Sequence, residues 1–252
     1  MGESPWGLRS KLTVLSANVR DLHNNIGDLT NNFILKYSAD IAVATETWLD
    51  DEVEPTFGRI RGYTQWVSRD RAGLAGGGIA VCFKKKHTCP AFTGRNSYRD
   101  GSTVFLSCTV GWYRTAVMCP LLSSYQGPGL MEFLTEQLDP LLMRHCCSRV
   151  LIVGDLNHHQ EQAAYESFLD VQGLIDYVSF PTDIRGGTLD PVITDIQEGA
   201  AECHLLGTVD SSEHYAVLTQ VHLSAAYNEA TTRSTWSWEQ ADLLSLCAKL
   251  CT

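Results

Sequence analysis

Leu151-Ile152-Val153-Gly154-Asp155-Leu156-Asn157 is a short apolar run that stops at a glycine and then delivers two polar side chains. With Val150 in front, a run of this length and β-branched composition, bounded by a turn residue, is expected to be a buried strand at 150–153. Asp155 and Asn157 stand two apart, so in extended chain both emerge on the same side. A carboxylate accepts a proton or a hydrogen bond and an amide donates one, so the pair is equipped to orient a water or hold a phosphate oxygen. Alone, Gly-Asp-x-Asn after a strand is an ordinary turn. Its meaning depends on what the rest of the chain brings beside it.

Working outward, runs of the same kind are expected as strands at 12–17, 41–45, 78–83, 103–110, 115–119 and 216–222. Helices are expected at 26–37, 129–147 and 160–171; in the second, Leu130, Phe133, Leu134, Leu138, Leu141 and Leu142 recur at three- and four-residue steps. Polar residues stand where strands finish: Asn18 after 12–17, Glu46 after 41–45, Asp190 after Thr188-Leu189, and Ser211-Ser212-Glu213-His214 just before the last strand. A site on the rim of a β-sandwich needs this placement. Taken singly, each residue has a plainer reading: Asn18 as a turn residue, Glu46 as a surface charge, Asp190 as a cap ahead of Pro191, His214 as a satisfied core histidine. Gly76-Gly77-Gly78 precedes a strand and not a helix, so it reads as a turn and not as a phosphate-cradling loop.

A chain of 252 residues with 44% hydrophobic content suits one large α/β domain with a sizeable core. Residues 1–10 read as a flexible leader, 11–224 as the domain, and 225–252 as a linker with the start of a following region. No stretch approaches the roughly 18 to 20 apolar residues of a membrane span. The 9 cysteines form no C-x-x-C pair, which argues against a zinc site. With no signal-peptide pattern, the expected compartment is nuclear or cytoplasmic and not secreted. A formal charge of −10 is not the basic balance that phosphate binding usually shows, but net charge hides local clusters such as Arg69-Asp70-Arg71 and Lys84-Lys85-Lys86 and so neither confirms nor excludes DNA. A site built from metal-binding carboxylates would itself be acidic.

In their order along the chain, Asn18 in Ser-Ala-Asn-Val-Arg, Glu46 in Thr-Glu-Thr-Trp-Leu, Gly-Asp-Leu-Asn at 154–157, Thr-Leu-Asp at 188–190 and Ser-Glu-His at 212–214 resemble the successive motifs of the endonuclease/exonuclease/phosphatase superfamily. The resemblance runs from Lys11 to Leu223. Glu46-Thr-Trp-Leu49, with Phe180-Pro181-Thr182 and Arg185-Gly-Gly-Thr-Leu-Asp190, is similar to the non-LTR (LINE-type) retrotransposon branch, whose nuclease domains precede a reverse transcriptase in one polyprotein.

The resemblance implies an α+β fold of the deoxyribonuclease I type: a four-layer α/β-sandwich of two packed mixed β-sheets flanked by helices. It implies a monomeric domain that nicks one strand of double-stranded DNA for target-primed retrotransposition. Glu46 and Glu213 would hold the metal, Mg²⁺ with Mn²⁺ as the alternative. Asp155 and Asn157 would position the attacking water, and Asn18 would hold the neighbourhood of the phosphate. His214, oriented by Asp190, would meet the developing charge. Thr182 and Arg185, and less directly Arg69 and Arg71, would contact DNA.

Two positions depart from the pattern. Ser-Asp-His has become Ser212-Glu213-His214, and a tyrosine expected after the 115–119 strand is replaced by Cys119 or Leu121, with Tyr125 several residues late. These departures open two alternatives: a degenerate copy that keeps the fold as a DNA-binding module, and a phosphatase of the same fold acting on another phosphoester.

Overall fold

The computed structural model of the chain describes residues 10–49, 56–69, 77–87, 91–95, 102–110, 113–121, 129–156 and 158–223. The expected leader lies almost entirely outside these residues, as does the expected linker at 225–252.

The apolar runs form two six-stranded sheets. The first contains β1 (Ser10–Asn18), β2 (Ile41–Thr45), β3 (Val67–Arg69), β4 (Ile79–Phe83), β11 (Ala201–Thr208) and β12 (Tyr215–Leu223), in the order β11-β12-β1-β2-β4-β3. The second contains β5 (Ala91–Arg95), β6 (Ser102–Val110), β7 (Tyr113–Leu121), β8 (Arg149–Val153), β9 (Ile175–Asp176) and β10 (Val192–Thr194), in the order β5-β6-β7-β8-β10-β9. Both sheets are mixed: β1 runs parallel to β2 and antiparallel to β12, and β7 runs parallel to β8 while β10 opposes it.

The alternation of side chains explains the layering. Along β1, Leu12 and Val14 join Val43, Val81, Val117, Leu151, Val153 and Val217 between the sheets. Leu15 and Ala17 point the other way, onto Leu22, Leu29 and Ile34 of the helical segment that follows β1. That segment begins as α1 (Leu22–Asp28), where the Asp21 side chain accepts from Asn24 N, and continues as a π-helix over Leu29–Leu35. On the outside of the second sheet, Met118, Val150 and Ile152 pack on α2 (Gly129–Arg144) and α3 (Gln162–Gln172). In α2 the buried Leu130, Leu134, Leu138 and Leu142 are spaced by four residues, one face of the helix. α3 stops at Gly173, whose φ of 61° places it in the left-handed region typical of a helix terminus. The result is helix, sheet, sheet, helix. The seven apolar runs expected as strands are all present, whereas Thr188-Leu189 is not a strand. β3, β5, β9, β10 and β11 were not anticipated, and the helix expected at 26–37 starts earlier and changes its winding.

Asp190 requires a correction. It does not follow a strand at 188–189; it lies in a loop two residues before β10. Because β10 opposes β8, with Val192 facing Val153, the start of β10 meets the end of β8. The ends of β1, β2 and β8 and the beginnings of β10 and β12 therefore share one edge of the sandwich.

Candidate active site at the strand ends

The β1–β2 ladder pairs Asn18 with Thr45 and then outlasts both strands. Val19 N donates to Thr45 O, Asp21 N to Glu46 O and Leu22 N to Thr47 O, each at 2.9 Å. Keeping these bonds through two opposed turns forces non-glycine residues into the left-handed region: Arg20 at φ 41°, Asp21 at 93°, Glu46 at 54° and Trp48 at 51°. Such conformations cost on the order of 1–3 kcal/mol each and survive where surrounding bonds over-determine them. Here the Gly77-Gly78 turn supplies part of that restraint. Gly77 N donates to Glu46 Oε2 at 2.9 Å, Trp48 Nε1 donates to the same oxygen at 2.8 Å, and Trp48 N donates to Gly77 O at 2.9 Å. Both of the bonds to the Glu46 carboxylate fall on Oε2.

At the end of β8, Gly154 has φ 122°. A Cβ there would stand 2.9 Å from Cys119 Sγ and 3.2 Å from Thr45 Cγ2, so only glycine fits the turn. The turn carries Asp155 across to β1, where Asn18 Nδ2 donates to Asp155 Oδ2 at 3.2 Å. Leu156 N donates to Leu189 O at 3.0 Å, tying this loop to the one that bears Asp190. The Asp190 loop is held in turn by Thr182, whose Oγ1 accepts from Leu189 N at 2.9 Å and Asp190 N at 3.1 Å.

Buried Asp190 presents Oδ2 to His214 Nδ1 at 2.8 Å, and His214 Nε2 points to Asp155 Oδ2 at 4.0 Å. Ser212 Oγ completes the assembly, donating to Asn18 O at 2.6 Å and accepting from His214 N at 3.1 Å. Asp190, His214, Asp155 and Asn18 thus form one continuous polar chain across both sheets. Burial alone would lower the pKa of His214, but the Asp190 hydrogen bond and the charges of Asp190, Asp155 and Asp183 outweigh it and raise the pKa to about 9. Ligand atoms of Asp155, Asp190 and His214 lie within 4.8 Å of one another.

The expected site residues divide into distinct sets. Asn18, Asp155, Asp190 and His214 are joined as described, and Glu46 stands on the adjoining turn with its own partners. Asn157 and Arg71 lie outside the described residues. Glu213, expected as a metal ligand, pairs with two arginines: Arg185 Nη2 is 2.6 Å from its Oε2 and Arg20 Nη1 is 3.8 Å from its Oε1. Thr182 is fully buried, so its hydroxyl shapes the Asp190 loop and does not face a phosphate. Arg69 closes β3, an edge strand of the first sheet. Of the two residues named for the position of the expected tyrosine, the side chain of Leu121 lies outside the described residues, and Cys119 is buried beneath Gly154, where burial together with the charges of Asp155 and Asp190 pushes its thiol pKa far up. Tyr125 lies outside the described residues. The sequence reading missed the part played by Gly77, for which the glycine triplet was the available signal, and by Arg20, which carried none.

No protein-family model and no curated protein matches the chain. Solved structures do. Truncated TDP2 of Caenorhabditis elegans superposes with a TM-score of 0.60 at 14% identity, over 84% of this chain and 98% of that one. The 3′ phosphatase NExo from Neisseria, bound to a product DNA hairpin, gives 0.63 at 15% identity, over 84% and 100%. An endonuclease/exonuclease/phosphatase family protein from Bacteroides thetaiotaomicron gives 0.57 at 14% identity, over 84% and 98%. With two mixed sheets packed face to face and helices on both outer surfaces, the chain has the deoxyribonuclease I-like fold of the endonuclease/exonuclease/phosphatase proteins.

Proposed function

We propose that this chain is a metal-dependent phosphodiesterase that nicks one strand of double-stranded DNA, as the nuclease domain of a retrotransposon polyprotein whose reverse transcriptase region is its partner. The observation that carries the proposal is the Asp190–His214–Asp155–Asn18 chain, assembled from strand ends of both sheets. The Glu-Thr-Trp-Leu motif supports the retrotransposon assignment, and the DNA hairpin held by a neighbour of the same fold supports a DNA substrate.

The residues present fit a hard divalent cation. Glu46 is oriented by two donors on one oxygen, and its second oxygen is the proposed ligand for Mg²⁺, with Mn²⁺ as the alternative. A cation bound there would polarise the scissile phosphate and stabilise the leaving oxygen. Glu213, already paired with Arg185 and Arg20, is withdrawn from the ligand set; it holds the two guanidinium groups at the rim, where they suit flanking phosphates. His214 Nδ1 and Asp190 Oδ2 are spent on each other, so these two act as a hydrogen-bonded pair, with the Asp155 carboxylate as a charge 4.0 Å from His214 Nε2. His214 is protonated at neutral pH and offers Nε2–H to a phosphate oxygen as charge develops. Asp155, held by Asn18, accepts the proton of the attacking water, and the role of orienting that water is assigned to Asn157, two residues on in the sequence.

The departure from tyrosine favours a weaker enzyme of the same kind: neither a leucine at 121 nor the Cys119 thiol buried under Gly154 would donate to the phosphate as a tyrosine hydroxyl would. The test is relaxation of supercoiled plasmid in Mg²⁺, abolished by Asp155→Ala. A clean preparation that cleaves at no concentration of Mg²⁺ or Mn²⁺ overturns the proposal, and turnover of small phosphoesters without plasmid nicking would move it to a phosphatase.

A further inference from the structure

Trp48 is left unused by the hydrolysis just described. A large aromatic usually buries most of its surface, yet Trp48 is 47% exposed. It is held there at some cost. Its backbone sits at φ 51°, its N–H is fixed to Gly77 O, and its indole Nε1 donates to Glu46 Oε2 at 2.8 Å. With its one polar edge committed to the site carboxylate, what the ring has left to offer is its apolar face. Its position is defined by register: Thr45 pairs with Asn18, Glu46 follows, and Trp48 is two residues further along the same turn. The ring therefore stands beside the phosphoester site, on a rim that also carries Arg20, Arg185 and the 54% exposed Ile184.

Resting on the nuclease reading, we propose that Trp48 is a base-stacking residue, whose ring receives an unstacked nucleobase of the strand being cut. The chemistry suits the charge. A chain with a formal charge of −10 has little long-range attraction for a polyanion, whereas stacking of an aromatic ring on a base draws on a π-face that every base possesses. The indole N–H has a separate task, which is to position Glu46. The two roles separate in substitution: Trp48→Phe keeps a ring and loses the N–H, and Trp48→Ala loses both.

The experiment measures binding by fluorescence anisotropy in the absence of metal. The probes are a short labelled single-stranded oligodeoxynucleotide and an abasic tetrahydrofuran-phosphate strand of the same length. Loss of one stacked base weakens Trp48→Ala about tenfold on the oligodeoxynucleotide. Trp48→Phe stays within about threefold of the unsubstituted protein, and all three proteins bind the abasic strand alike. Plasmid nicking in Mg²⁺ is followed alongside, where loss of the N–H lowers kcat in both variants while KM rises only in Trp48→Ala. Equal weakening of Trp48→Ala on both strands, or unchanged binding to the oligodeoxynucleotide, overturns the stacking role. If the unsubstituted protein nicks plasmid, the nuclease reading survives that result; if it neither binds DNA nor nicks it, both fall.

Discussion

Replacing Gly154 by alanine should cost both stability and the site, and the two parts of the stability cost can be separated. Alanine at φ 122° occupies a backbone region that side chains rarely adopt, a penalty of about 1–3 kcal/mol. Its Cβ would also stand 2.9 Å from Cys119 Sγ and 3.2 Å from Thr45 Cγ2, and neither atom lies at the end of a long flexible side chain that could swing aside. Overpacking of that kind adds about 1–3 kcal/mol. Gly154→Ala should therefore lose roughly 2–6 kcal/mol in urea denaturation, with the slope of the transition unchanged.

The sulfur contribution is isolated by a double-mutant cycle with Cys119→Ala, which removes Sγ and leaves the backbone penalty in place. Coupling of about 1–2 kcal/mol is expected, the double mutant being more stable than the sum of the singles. Because Asp155 is the next residue, the strained turn also displaces its carboxylate from Asn18. Nicking should fall by about a hundredfold or more even where the protein remains folded. A Gly154→Ala protein within about 0.5 kcal/mol of the unsubstituted one, or a cycle with no coupling, would refute the account of Cys119 as the floor of this turn.

Thr182→Val should cost about 2–4 kcal/mol by denaturation, since it strips the acceptor from the amides of Leu189 and Asp190, whereas Thr182→Ser keeps that acceptor and should cost far less. The pKa of His214 is raised on folding, so its contribution to stability is complete below about pH 6.5 and is lost as pH climbs through about 9. Denaturation at a series of pH values should show that decline, and it should flatten in Asp190→Asn, which lacks the carboxylate that raises the pKa. Arg185→Ala removes an exposed ion pair and should change stability by less than about 0.5 kcal/mol, while the dependence of DNA binding on salt should weaken by about one counterion.

The parts of the fold that could be read from sequence were those whose signal is local. β2 and β8 are continuous apolar runs because both faces are covered, and their boundaries were placed to within a residue. β10 is only Val192–Thr194, preceded by a proline, and it becomes a strand because β8 and β9 flank it on either side. β11 is mostly exposed or half-buried beyond Ala201 and carries Glu202, Cys203, His204 and Gly207, so no apolar run announces it. The same division holds in the site. Asn18, Glu46, Asp155 and His214 follow or precede strands that are themselves legible. Thr182 was expected to contact DNA because Phe180-Pro181-Thr182 resembles the retrotransposon branch, but its task is fixed by amides that return from seven and eight residues further along the chain. Nothing near Cys119 in the sequence says that Gly154 will cross above it.

The pairing of β1 with β12 also dictates how the molecule must come together. Asn18 and Ser212 are 194 residues apart, and the bond between them forms only when one of the last strands described closes upon the first. Contacts of such separation are slow to form, because the entropy of closing the chain is lost before the contact repays it. During synthesis, a nascent chain that has reached Asp190 already owns three of the four members of the polar chain and still has no site. Release of an N-terminal fragment ending before His214 should accordingly yield a protein without nuclease activity, whatever its secondary structure, and the completed edge becomes a late product of folding.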